Sequence, residues 1–200
     1  MGPLVVAAVY VEDDSALRAI GVRDSKRLAE RTRERMHGEI LEVCEHHCVV
    51  IASAEEIDAR RQRRSLNEIE MEMFLEAAAA MRVDTVYADC PDPNEMIFSS
   101  AMSARLKNTE VIGRHGADDA YPVVSAASII AKVTRDRIME EIAAGFGETV
   151  GSGYPSDRTT MDFIDGRIRR DGEPPAHVRR SWEPVRHMMA AARNSKLTDW

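Results

Sequence analysis

The sequence has few aromatic residues, few cysteines and no long apolar run. Aromatic residues make up 5% of the 200 residues, so the core must be built from aliphatic side chains. Three cysteines, an odd number, argue against a disulfide framework and favour a reducing, cytoplasmic environment. We find no signal peptide and no apolar run long enough to cross a membrane, so no membrane association is expected.

A positive net charge is also absent. The formal net charge is −7, which excludes a general polyanion binder, so any nucleic-acid site must be a local basic patch. Hydrophobic residues at 44% and charged residues at 30% are ordinary values for a globular protein. The length fits one domain with a small appendage, and we expect a monomer.

One short segment has the composition of a metal site. Cys44-Glu-His-His-Cys48 carries four zinc-type ligands, but no second pair of ligands follows at a matching spacing. The segment also falls where a helix passes into a strand. The favoured interpretation is therefore structural, with zinc binding as the alternative.

The segment from Ala117 to Asp136 predicts a helix with a carboxylate ahead of it. Pro122 suits a first helical position, and Asp118 precedes it on a predicted loop where it can reach a metal. An apolar face recurs at three- and four-residue steps, and a second face is small, polar and ionic. The apolar face contains Val123, Ala126, Ala127, Ile130 and Val133, and the polar face contains Ser125, Ser128, Lys132 and Asp136. The polar face suits a phosphate-bearing ligand; a solvated amphipathic helix is the alternative.

Strand and helix patterns alternate along the rest of the chain, which predicts an α/β layered domain. Strands are expected at 2–11, 47–53, 83–89 and 109–113, and helices at 29–44, 65–81, 95–106, 122–144, 159–170 and 178–193. Asp89 ends one predicted strand and Asp118 follows the next, so the two acids come from neighbouring strand ends. Carboxylate oxygens there suit Mg²⁺ or Mn²⁺. Asp84, Asp92 and Asp119 are competing carboxylates.

A polar loop offers a second candidate site. Ser25 and Lys26, with Arg23 beside them, could clamp a phosphate. The alternative is a solvated loop that ends in a helix N-cap.

Seven segments together carry a family resemblance. They are Gly-Pro-Leu-Val-Val-Ala-Ala-Val (2–9), Val-Arg-Asp-Ser-Lys-Arg-Leu (22–28), Leu-Asn-Glu-Ile-Glu (66–70), Tyr-Ala-Asp (87–89), the helical segment 117–136, Gly-Ser-Gly-Tyr-Pro-Ser-Asp (151–157) and Val-Arg-Arg-Ser-Trp (178–182). In this order they resemble ribonuclease HII, particularly its archaeal form. The resemblance implies a ribonuclease H-like mixed sheet flanked by helices, with a catalytic domain at 1–145. Residues 146–200 would form a junction-sensing loop and a helical C-terminal extension.

The resemblance also implies a function. It is that of a metal-dependent endonuclease that cuts the RNA strand of RNA–DNA hybrids, and single ribonucleotides embedded in duplex DNA, with Mg²⁺ or Mn²⁺. Asp89 and Asp118 match metal-binding acids, and Tyr154 matches the tyrosine that senses the ribose 2′-OH; on spacing alone Tyr154 could be a packed loop aromatic. Ser25, Lys26 and Lys132 match positions near the nucleic-acid backbone. Further candidates for nucleic-acid contacts are Arg23, Asn67, His115, Arg135, Arg179 and Arg180.

The family pattern contains one segment that this sequence does not match. It is a strand ending in Asp-Glu-Ala-Gly-Arg-Gly, expected ahead of residues 2–9, with two more metal-binding acids. We therefore expect the first strand to be missing and cleavage to be impaired, as with a misplaced start codon or a truncated gene. The alternatives are a non-catalytic nucleic-acid-binding remnant and an unrelated metal-dependent phosphoesterase.

Overall fold

A computed structural model describes residues 1–23 and 28–198, with side chains through residue 194. The strands are β1 (Leu4–Tyr10), β2 (His46–Ala52), β3 (Thr85–Asp89) and β4 (Glu110–Arg114). The helices are α1 (Ser15–Ile20), α2 (Glu30–Val43), α3 (Ala54–Arg61), α4 (Leu66–Ala79), α5 (Glu95–Ser103), α6 (Ala117–Ala120), α7 (Pro122–Phe146), α8 (Arg158–Asp171) and α9 (Glu183–Thr198). The predicted α/β class is confirmed. Among these residues, no helix has the length and apolar run that crossing a membrane requires.

The described strands form two two-stranded sheets, one from β1 and β2 and one from β3 and β4. β3 and β4 run parallel, with Thr85 opposite Glu110 and Asp89 opposite Arg114. The two strands therefore end at the same edge, which is where α/β proteins place their ligands.

The chain divides into two compact units. Unit I contains residues 1–4, 52–64 and the described residues from 135 onward, and unit II contains residues 5–51 and 65–134. The division falls within α7. The domain boundary at 145/146 that the resemblance suggests stays a prediction.

Apolar clusters form the interior of unit II, and two of them are built from its described residues. In the larger one, α7 contributes Ala126, Ile129, Ile130 and Val133, with Val123 and Ala127 packed against them. The apolar face predicted for this helix is therefore confirmed. A smaller cluster joins β3 and β4 to α5 through Ala88, Cys90, Phe98, Met102 and Val111.

Unit I has its own core. Met1, Met139, Val150, Phe163, Ile164, Ile168, Val178 and Val185 form it. Burying each aliphatic side chain of this size contributes about 1.5–3 kcal/mol. The loop at 147–157 and the N-terminal residues are thus attached to a core of their own.

The last helix starts later than the sequence pattern predicts. It begins at Glu183, not at residue 178. The Asp58 carboxylate on α3 accepts the N–H groups of Arg180 at 2.6 Å and Ser181 at 3.0 Å, which satisfies these donors outside a helix. Pro184 then lies in the first turn, where its missing N–H costs nothing.

Candidate active site

Asp89 lies at the end of β3, where the strand pairing stops. The Cys90 N–H donates to the Arg114 carbonyl at 2.9 Å, so β3 and β4 end together. The Asp89 carboxylate turns to the next loop and accepts the N–H of Ala117 at 3.2 Å through Oδ1. This bond fixes the direction of the Asp89 carboxyl group, and Oδ2 takes no part in it.

Asp118 directly follows the residue that Asp89 contacts. It lies in the single turn α6, not on an open loop as the sequence predicted, and its residue surface is 5% exposed. Gly116 precedes the turn with φ of 63°, a left-handed conformation that glycine adopts without strain. Tyr121 ends the turn in an extended conformation, as a residue before proline should. The fold thus brings the Asp89 carboxylate into contact with the backbone of the residue that precedes Asp118.

Ser125 has a different environment from the one predicted. The sequence placed it on a ligand-facing polar stripe of α7, but it is buried, with 2% of its surface exposed. Its hydroxyl donates to the backbone carbonyl of Asp118, and it lies 3.3 Å from the Tyr121 carbonyl. Ser125 therefore fastens the first turn of α7 to the backbone of Asp118.

His115 joins the two loops at this edge of the sheet. Its backbone N–H donates to Glu95 Oε1 at 2.7 Å, and its ring Nε2 lies 2.8 Å from the Asp92 carbonyl, which can only accept. Its Nδ1 lies 3.3 Å from Glu95 Oε1. Both ring nitrogens contact protein groups, so the geometry supports a role in holding the loops. Sequence reasoning missed Glu95, for which no local pattern existed.

Two tyrosines beside the acids were also missed. The rings of Tyr87 and Tyr121 pack with centroids 4.5 Å apart and planes tilted by 34°. Because side chains alternate along a strand, Tyr87 points to the same face of β3 as Asp89. Their position in the sequence could have indicated them, because Tyr87 lies two residues before Asp89 and Tyr121 lies three residues after Asp118.

Tyr154 lies in unit I, on the loop before α8. It is 40% exposed, and the guanidinium carbon of Arg135 lies 3.9 Å from its ring centroid. Asp157 accepts the N–H of Ser152 at 2.6 Å and its hydroxyl at 2.8 Å. These bonds from Ser152 lower the pKa of Asp157 to about 2, so the carboxylate is ionised across the physiological range.

The remaining predicted residues lie in varied surroundings. Arg179 is buried, donates to the Gly2 carbonyl at 3.2 Å and lies over the Trp182 ring. Arg180 is exposed and forms an ion pair with Glu173 at 3.2 Å.

The other predicted nucleic-acid contacts differ in their exposure. Arg23 is exposed, and Asn67 and Lys132 are half-buried. Ser25 and Lys26 lie outside the described residues.

The donor set at the edge of the sheet suits a hard divalent cation. Asp89 and Asp118 supply carboxylate oxygens, and Mg²⁺ is commonly held by one or two carboxylates together with waters and substrate phosphates. Within the described ranges, no group of three or more His, Cys, Asp or Glu side chains gathers at one point. Carboxylates are the ligand type that such a cation prefers, and the substrate's own oxygens would complete its coordination.

Comparison with known proteins gives one consistent result. The family model for ribonuclease HII matches residues 1–185. The ribonuclease HII of Thermococcus kodakarensis is 40% identical over 204 residues, covering 100% of this chain and 88% of that protein. Ribonuclease H2 from Pyrococcus horikoshii OT3 has a similar structure, with a TM-score of 0.88 and 39% identity over 96% of this chain and 92% of that one. Ribonuclease HII from Archaeoglobus fulgidus, solved in complex with PCNA, has a TM-score of 0.87 and 37% identity, covering 94% of this chain and 90% of that one.

The sequence similarity to the Thermococcus protein extends over the whole chain. The two archaeal structures confirm the ribonuclease H-like fold over 94–96% of it. The segments that carry the resemblance in the sequence lie within the matched region up to residue 185. This chain belongs to the ribonuclease HII family.

Proposed function

We propose that this chain recognises RNA–DNA hybrids and single ribonucleotides in duplex DNA, and that Asp89 and Asp118 form the centre at which the phosphodiester is hydrolysed. Family membership supports a ribonuclease H type of endonuclease that depends on a divalent cation. The observation that carries the proposal is the bond from the Ala117 N–H to Asp89, which joins the end of β3 to the residue before Asp118.

The two carboxylates would hold Mg²⁺ or Mn²⁺. Bound divalent cations supply charge stabilisation to the attacking and leaving oxygens of a phosphodiester. The protein supplies orientation: the Ala117 N–H fixes the direction of the Asp89 carboxyl group, and Ser125 fixes the backbone of Asp118. A carboxylate that is already oriented, as that of Asp89 is, avoids the reorganisation that a mobile one would need.

We propose that the Tyr154 hydroxyl recognises the ribose 2′-OH. That hydroxyl is the group that distinguishes RNA from DNA at a given position. The exposure of Tyr154 and the fixed loop around it support this role. Residues 146–200 would then form the junction-sensing part and residues 1–145 the catalytic part. Lys132, Ser25 and Lys26 remain proposed contacts to the nucleic-acid backbone.

A second candidate function is binding without cleavage. It is supported by the small number of acids at the candidate site, because the described residues contain no group of three or more His, Cys, Asp or Glu side chains that could hold a metal ion. In this case the chain would bind ribonucleotide-containing duplexes through Tyr154 and Lys132 and would turn over slowly or not at all.

We also propose a compartment and an assembly state. The three cysteines, Cys44, Cys48 and Cys90, are free thiols, which fits a reducing cytoplasm. There the chain would act as a monomer on replicated or repaired DNA that contains ribonucleotides.

A cleavage assay with matched variants tests the proposal. The substrate is a duplex with one ribonucleotide, incubated with the 200-residue chain in Mg²⁺ or Mn²⁺. We expect Asp89→Asn and Asp118→Asn to lower kcat/KM more than about 100-fold, since changes one shell outside a metal cost about 10–100-fold. Duplex binding should be retained.

Two exposed neighbours serve as controls. Asp84 lies just before β3, at its opposite end, and Asp119 lies beside Asp118, so Asp84→Asn and Asp119→Asn should leave cleavage unchanged. Normal cleavage by either Asp89→Asn or Asp118→Asn would remove that residue from the site. Binding of the ribonucleotide duplex without cleavage in either metal would favour the second candidate.

A further inference from the structure

Arg135 is a buried cation whose contacts with the described residues lie around the loop that carries Tyr154. It belongs to α7, and its surface is 8% exposed. Its Nη1 donates to the Ser152 carbonyl at 3.1 Å, and its Nη2 lies 3.5 Å from the Met1 carbonyl. Its guanidinium carbon lies 3.9 Å from the centroid of the Tyr154 ring. The plane of the guanidinium therefore has a backbone acceptor at its edge and an aromatic ring on its face.

The glycines of this loop make the contact possible. A Cβ on Gly153 would come within 2.9 Å of both Arg135 Nη2 and the Met1 carbonyl oxygen, and φ there is +81°. A Cβ on Gly151 would come within 2.5 Å of the Asp157 carboxylate. Any side chain at either position would push the loop away from the groups that hold it.

The opposite side of the loop is held by α8. The Gly153 N–H donates to Thr160 Oγ1 at 2.9 Å, and Asp157 accepts from Ser152 while capping the helix through the Thr159 N–H at 3.0 Å. The backbone before Tyr154 is thus fixed from both sides. The ring itself is exposed, and Arg135 is the described group that stacks on it.

We propose that Arg135 is a positioning residue for ribose recognition, which holds the Tyr154 ring in the orientation that directs its hydroxyl to a 2′-OH. This inference rests on the proposed role of Tyr154. It assigns Arg135 a different task from the nucleic-acid contact expected from the sequence. A phosphate contact needs an accessible guanidinium, whereas this one is buried and already engaged on its edge and its face.

Two substitutions of Arg135 can separate a positioning role from a phosphate contact. Lysine keeps the charge but has neither the planar fork nor the flat face that stacks on a ring, and methionine keeps the length without the charge. If Arg135 acts through Tyr154, Arg135→Lys and Arg135→Met should both weaken ribose recognition. If it contacts a phosphate, Arg135→Lys should retain most of the function.

The measurement is binding, so that it does not depend on cleavage. Dissociation constants are determined for a duplex with one ribonucleotide and for the same duplex entirely of DNA. We expect both Arg135 variants to lower the preference for the ribonucleotide duplex by roughly 3- to 30-fold, the range that a cation–π contact of this kind supports. Affinity for the all-DNA duplex and its salt dependence should not change.

A double-mutant cycle decides whether the effect passes through Tyr154. Tyr154→Phe keeps the ring and removes the hydroxyl, so it should abolish the preference. Arg135→Lys should then add nothing in the Tyr154→Phe background. Arg158→Lys, at an exposed arginine of the same unit, is the matched control and should behave as wild type.

Each contrary outcome is specific. The positioning role would be overturned if Arg135→Lys kept the full preference for the ribonucleotide duplex, or if the effects of Arg135→Lys and Tyr154→Phe added up in the double variant. It would also be overturned if Arg135→Met reduced the slope of log affinity against log salt by about 1. An undiminished preference in Tyr154→Phe would overturn the proposed reading of the 2′-OH and this inference with it. Absence of cleavage by the unsubstituted chain, with its preference for the ribonucleotide duplex intact, would count against the nuclease proposal alone. Thermal unfolding of each variant verifies that it is folded.

Discussion

At the scale of single residues, the buried ionisable groups show how tightly the Tyr154 loop is held. The amino group of Met1 is buried in unit I and donates to the Gly153 carbonyl at 2.5 Å. Burial, and after it the charges of Arg179 and Arg135, together lower the pKa of this group from 8.0 to about 4. Met1 therefore binds the loop as a neutral amine at neutral pH.

This predicts a pH dependence of stability. Between pH 8 and pH 4 the unfolded chain binds a proton on Met1 that the folded chain does not, so the contribution of this group to the free energy of unfolding falls as the pH is lowered. The chemical shift of the Met1 Cα, followed by NMR with ¹³C-methionine, should titrate with a midpoint near 4. The same signal in urea should titrate near 8. A midpoint near 8 in the folded chain would show that the amine is solvated.

At the scale of secondary structure, local sequence chemistry sets most of the helix starts. Ser65 accepts the N–H of Glu68 at 3.2 Å, and Glu68 accepts the N–H of Ser65 at 2.6 Å. This reciprocal pair is a capping box, and its spacing, Ser followed three residues later by Glu, is readable in the sequence. A second one, between Ser53 and Glu56, starts α3 and was not recognised in the sequence.

We expect Ser65→Ala to lower the free energy of unfolding by about 1 kcal/mol, within a range of about 0.5–2, because the first turn of α4 loses a hydrogen-bond acceptor. Urea unfolding followed by circular dichroism measures the change. Ser65→Thr, which keeps the hydroxyl, is the control and should remain close to wild type. Equal stability of the alanine and threonine variants would mean that water replaces the cap without cost.

At the scale of the whole molecule, charge constrains how a polyanion can bind. With a formal net charge of −7, the chain repels nucleic acid at long range, so the proposed affinity depends on local cations. Lys132 is one such cation, half-buried on α7 in unit II. Its proposed contact is with a phosphate, in contrast to the role inferred for Arg135.

We therefore expect Lys132→Gln to weaken binding of ribonucleotide and all-DNA duplexes equally and to reduce the slope of log affinity against log salt by about 1. Lys107 is exposed in the turn after α5, and Lys107→Gln is the control that should leave the slope unchanged. Fluorescence anisotropy over a salt series measures both variants. An unchanged slope in Lys132→Gln would exclude a phosphate contact at this lysine.

The positions of most elements could be predicted from the sequence, because apolar periodicity and capping chemistry act over a few residues. The apolar face of α7, the ends of β3 and β4 and the position of Asp89 at a strand end all follow from such local patterns. The family resemblance, too, rests on short segments in a fixed order.

What the sequence by itself determined is therefore the α/β class, the family and the residues that carry reactive groups. Only the tertiary structure decided what several of those groups touch. Ser125 is buried against the backbone of Asp118, and Arg135 lies on Tyr154, which is 19 positions further along the chain. Such contacts leave no periodic trace, because they depend on where distant segments pack, and packing is a property of the folded chain.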